Sequence, residues 1–118
     1  MKIQIKLQHL GACLQAQKWA YGKSFHTIWH SCYTEGWLNW LVQELVHVDC
    51  LAPKYGKLSY IAYLYGAKIA KKYKVRNMIP DTISFIGESS RSIRAIIPYS
   101  VMVEALRKYG NKITNGEI

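Results

Sequence analysis

His26 and His30 stand four residues apart in SFHTIWHSCY, a spacing that puts two imidazoles on one helical face, within reach of a single metal ion. A third ligand would have to come from Cys32, His47 or Cys50. Cys32, however, belongs to an apolar stripe one face away, and the chain has neither C-x-x-C nor H-E-x-x-H. The pair reads as two histidines on a polar edge, and no metal or other cofactor is expected. A cysteine nucleophile with a histidine base is the second chemistry to weigh. Cys13, Cys32 and Cys50 all lie in apolar sequence contexts, which raise a thiol's pKa and lower its reactivity. The seven acids are scattered, with no pair spaced for general acid–base work. Gly87-Glu88-Ser89-Ser90-Arg91 offers hydroxyls and amides ahead of a helix, where a phosphate can be held. It lacks the glycine-rich phosphate-loop pattern, so an ordinary loop and cap is expected. No catalytic arrangement emerges, and the expectation is a non-enzymatic protein.

Charge and aromatics are more informative. The chain carries sixteen Lys and Arg against seven Asp and Glu, a net charge of +9. Residues 1–56 hold five basic and three acidic groups, and residues 57–118 hold eleven and four. In the basic half, tyrosines such as Tyr60, Tyr65 and Tyr73 interleave with lysines. Rings that stack on bases, beside cations that pair with phosphates, are what binding a nucleotide or a single strand requires. The candidate contacts for a polyanion are Lys57, Tyr60, Lys68, Lys71, Lys72, Lys74, Arg76, Arg91 and Arg94. Arg107 and Lys108 extend that basic surface. The expected partners are nucleic acid, a nucleotide or a nucleoprotein complex. The competing reading is that the tyrosines pack with their hydroxyls at water, while the lysines only keep the surface soluble.

These groups must be held by helices. At 118 residues the chain is expected to form a single helical domain with one core, residues 1–118. The expected fold is all-α, a compact bundle of about five helices. Ile3, Ile5 and Leu7 alternate with polar residues and suit a short strand; Ile3, Leu7, Leu10 and Leu14 equally suit a first helical stretch. A strand there would expose an edge on which two copies could pair into a homodimer. Helices are expected over residues 10–21, from Ser24 through a Phe25, Ile28, Trp29, Cys32, Tyr33 stripe, and from Trp37 to about Val48. After a turn at Leu51–Gly56, a fourth helix is expected over 57–74, its core stripe being Leu58, Ile61, Ala62, Tyr65 and Ile69. Asp81 can cap a short turn over Thr82–Ile86. The last helical region covers 91–109, with Pro98 kinking it or starting a fresh helix. Gly110 suggests its stop, and 111–118 reads as a frayed tail. No run of about 18 apolar residues is present to cross a membrane. An unbroken apolar leader is also lacking, and three unpaired cysteines suit a reducing, cytoplasmic setting.

All four tryptophans and two of the three cysteines fall between Ala12 and Leu41. The tryptophans keep to apolar stripes, so they are expected to lock three short helices into one core. Ala12-Cys13…Ala16…Trp19, then Trp29…Cys32, then Trp37…Trp40-Leu41 resembles a pattern of small uncharacterised phage and bacterial proteins: A-C-x-x-A-x-x-W, W-x-x-C, W-x-x-W-L. It covers about a third of the chain, and Gly36 stands where the pattern has an acid. The resemblance implies a compact helical fold and a phage or mobile-element origin. It supports an alternative function as a protein-interaction inhibitor of a host factor, such as a component of a bacterial anti-phage defence, in the manner of an anti-CRISPR.

Overall fold

The structure, a computed structural model, describes residues 2–34, 36–66 and 88–117. Seven helices and no strand occur among them. No helix among the described residues is long and apolar enough to cross a membrane.

The N-terminal segment resolves to a helix, α1, Ile3–Leu10, and not to the alternative strand. Ile3, Leu7 and Leu10 are its buried residues, a stripe at helical spacing, while Ile5 faces out. Gly11 ends it in a left-handed conformation, φ +88°, and the Ala12 N–H closes back on the Leu7 carbonyl at 3.0 Å. That turn splits the expected 10–21 helix, leaving α2, Leu14–Ala20, with Ala20 as its buried residue. The third helix, α3, runs Phe25–Ser31, and Ser24 Oγ accepts the Thr27 N–H at 3.2 Å. A cap of this kind stabilises a helix by about 1 kcal/mol. Ser24→Ala is therefore expected to lower stability by about 1 kcal/mol in urea unfolding, with an unchanged slope.

Trp37–His47 forms α4, whose Leu38, Leu41, Val42 and Leu45 make a complete buried stripe. Pro53 opens α5, Pro53–Tyr65, at its first position, so the expected 51–56 turn is half helix. The face that α5 buries is Gly56, Ser59 and Ala62. Among the described residues of the expected stripe only Ala62 is buried; Leu58 and Ile61 are half-buried and Tyr65 is 65% exposed. Small residues win this face because they let α4 come close. A Cβ on Gly56 would lie 3.3 Å from Val46 Cγ2. Gln43 Nε2 then donates to the Gly56 carbonyl at 2.7 Å and to Ser59 Oγ at 2.9 Å. Ile69 and the rest of the expected fourth helix, with the Asp81 turn, lie outside the described residues.

Glu88–Ile96 forms α6, and Tyr99–Thr114 forms α7, with Pro98 between them as the cap of a fresh helix. Ile93, Ile97, Met102, Ala105, Leu106 and Tyr109 bring both into the core. Gly110 does not stop α7, which continues to Thr114 through part of the expected frayed tail. Instead the glycine makes room: a Cβ there would meet Lys6 Cε of α1 at 3.1 Å. Lys112 Nζ donates to the Val48 carbonyl at 2.6 Å, tying α7 to the end of α4.

Candidate functional site: a cationic groove between α1, α3 and α7

Three helices that are distant in sequence enclose an open groove of about 570 Å³. Lys2 and Lys6 enter it from α1 and its cap, Lys23 from the α2–α3 turn, and Arg107 from α7. Its floor includes Phe25 and Tyr99, whose rings stack with centroids 5.6 Å apart and planes 18° apart. Among the described residues, no Asp or Glu lines it. Glu104 is adjacent and pairs with Arg107 at 2.5 Å on the exposed side of α7. Burial pushes the Lys6 ammonium below its ordinary pKa. A cation short of hydration gains more than an exposed one when an anion arrives. Lys23 Nζ donates to the Trp19 carbonyl and lies 4.8 Å from the Trp19 ring centroid, so its head is held in place.

The two histidines flank this floor. His26 and His30 are exposed, with ring centroids 4.3 Å apart and 5.3 and 5.4 Å from Tyr99. His30 Nδ1 lies 2.9 Å from the His26 carbonyl oxygen. Among the described residues, no three His, Cys, Asp or Glu side chains gather as metal ligands. Cys32 and Cys50 are buried, and burial pushes both thiols up. Cys13 departs from its expected apolar setting: it is exposed at the start of α2.

The sequence-derived polyanion residues are dispersed. Lys57 is exposed on α5, and Tyr60, 54% exposed, lies on the same helix. Arg91 is half-buried, its guanidinium 4.9 Å from the Tyr33 ring centroid. Arg94 is turned inward. Its Nη1 donates to the Trp29 carbonyl at 3.2 Å and the Cys32 carbonyl at 2.5 Å, satisfying the C-terminal end of α3. That makes it a structural anchor in place of the ligand contact expected of it. Lys68, Lys71, Lys72, Lys74 and Arg76 lie outside the described residues. The ordinary loop expected at Gly87–Arg91 is instead helix from Glu88 onward, and its serines are engaged within the fold. Ser90 Oγ donates to the Thr34 carbonyl at 2.8 Å, and Ser89 Oγ accepts the Gly36 N–H at 3.4 Å. Both serines are buried, and they fasten the α3–α4 turn to α6.

Lys2, Lys6 and Lys23 escaped the sequence reading because they belong to the half with little excess charge. Only Arg107 of the four groove cations was among the residues singled out. No family model matches the chain, and no curated protein or solved structure is similar to it.

Proposed function

We propose that this chain is a non-enzymatic binding protein for a polyanionic ligand of the nucleic-acid or nucleotide class, free or in a nucleoprotein complex. We place the principal contact in the α1–α3–α7 groove. The supporting observation is four cations, Arg107 among them paired with Glu104, around one concave, aromatic-floored site that no acid of the described residues lines. Such a site raises the local concentration of anions and gains affinity by releasing their counterions. Lys57 and Tyr60 would give a longer ligand a second contact on α5. On this reading the protein works in the cytoplasm of its host cell.

The test is fluorescence anisotropy with a labelled single-stranded oligonucleotide over a salt series. If all four cations meet phosphates, log K should fall with log salt at a slope of about −3. Lys2→Glu with Arg107→Glu changes two exposed side chains. The double variant should weaken binding at least about tenfold and reduce the slope by about 1.5. Binding that is indifferent to salt sinks the polyanion reading. Salt-sensitive binding unchanged in the double variant removes the groove from it.

A protein-inhibitor role, as the phage-protein resemblance suggests, has one observation in its favour. Leu14 and Tyr21, 64% and 77% exposed, stand with Ile5 on the outer side of α1 and α2. An apolar group of this kind suits a protein contact. On that reading a single host protein co-purifies with the chain after nuclease treatment. A homodimer built on an N-terminal strand edge loses its basis, because residues 3–10 are helical.

A further inference from the structure

A second concavity, of about 420 Å³, lies between α2, α3 and α4 on a different part of the molecule from the cationic groove. Its walls carry three of the four tryptophans, Trp19, Trp37 and Trp40. Trp19 and Trp37 meet edge to face with centroids 5.8 Å apart. All three indoles are half-buried, whereas Trp29 alone is sunk in the core. The space exists because, beside Trp19, α2 presents only the methyl groups of Ala16 and Ala20 to it. Cys13 stands exposed at its rim. Among the described residues, no Asp, Glu, Lys, Arg or His lines it.

We infer that this cavity is a binding site for a neutral, flat aromatic small molecule of two or three fused or linked rings. The charge follows from the walls: an ion entering would lose its hydration and find no partner. Shape follows from the indoles, which offer faces and edges to a ring at van der Waals distance. Size follows from the volume. A dry apolar cavity of roughly 150 Å³ accepts benzene, and ligand sites span about 300–1,000 Å³, so this one has room for more than one ring. The site is independent of the polyanion reading and stands or falls without it.

The probe is N-phenyl-1-naphthylamine, which is neutral and brightens in apolar surroundings. The intact chain should bind it one to one, with a dissociation constant on the order of 10 µM. Binding should quench tryptophan emission, because most of the emitters are in the walls. Ala16→Phe puts a ring into the space and should weaken binding at least about tenfold while helix content is retained. If that variant fails to fold, the native chain still decides. Alkylation by N-ethylmaleimide reports Cys13, since Cys32 and Cys50 are buried, and saturating probe should slow it several-fold. Four results each overturn the proposal: no uptake by folded protein, binding unchanged in folded Ala16→Phe, a Cys13 rate indifferent to probe, or a dimer mass with no uptake. The last would mean that a second copy fills the cavity.

Discussion

Trp29→Ala is expected to destabilise the protein by about 3–5 kcal/mol, the usual cost of removing a large aromatic from a packed interior. Trp29 is 2% exposed and among the largest fully buried side chains of the molecule. Its ring sits 5.9 Å from Phe25, and through Phe25 it is connected to the stacked Tyr99 of α7. A chain of this size has about 5–15 kcal/mol in total, so about a fifth or more of its stability is at stake. Urea unfolding followed by circular dichroism measures it. Trp19→Ala and Trp40→Ala should each cost less, about 1–2 kcal/mol, because these rings are only half-buried and remove less apolar area from water. Equal losses at all three positions would contradict the division between a core tryptophan and cavity-wall tryptophans.

Arg94→Ala is expected to cost about 3 kcal/mol and to lower Tm by roughly 10 °C. Charged hydrogen bonds contribute about 1.5–3 kcal/mol each, and this side chain makes two, to the Trp29 and Cys32 carbonyls. Without it those carbonyls, at the end of α3, lose their charged donor. The guanidinium also lies 5.1 Å from the Tyr33 ring centroid. Burial lowers its pKa from the ordinary value, yet an arginine at this depth stays charged at any working pH. Arg94→Lys should restore only part of the loss, since both bonds come from Nη1, one atom farther along the side chain than a lysine ammonium reaches. Thermal unfolding of the pair of variants checks this. Oligonucleotide binding by folded Arg94→Ala, which lacks the charge, should match the native chain, and this separates an anchoring role from a ligand contact.

The helical class and the stripes of α3 and α4 were legible because their buried residues are large and recur every three or four positions. Phe25, Ile28, Trp29 and Cys32 announce a face by hydrophobicity alone, whereas Tyr33, read into the same stripe, is 45% exposed. The α5 face was not legible for the opposite reason. Gly56, Ser59 and Ala62 carry far less apolar surface than Leu58, Ile61 and Tyr65. They are inside because Gln43 and Val46 of α4 demand a close approach, a fact about a partner helix. At the N-terminus Ile3 and Leu7 fit a strand and a helix equally, and only the surface offered by α7 separates the two. Cation position was the hardest part to read. Lys2, Lys6, Lys23 and Arg107 make no cluster in sequence, and three of them lie in the less basic half. Arg94 looked like a free charge because nothing local shows that carbonyls of α3 wait for it 62 and 65 positions earlier.

The contact of α1 with α7 has a kinetic meaning. Lys6 lies over Gly110, so the first helix rests on the last, across nearly the full chain. A ribosome releases α1 long before α7 exists, and Ile3 then has no α7 to rest against. The groove formed by these helices cannot assemble until α7 has emerged. Closing so long a loop is entropically slow, so refolding should lag behind that of a bundle in which only sequential helices touch.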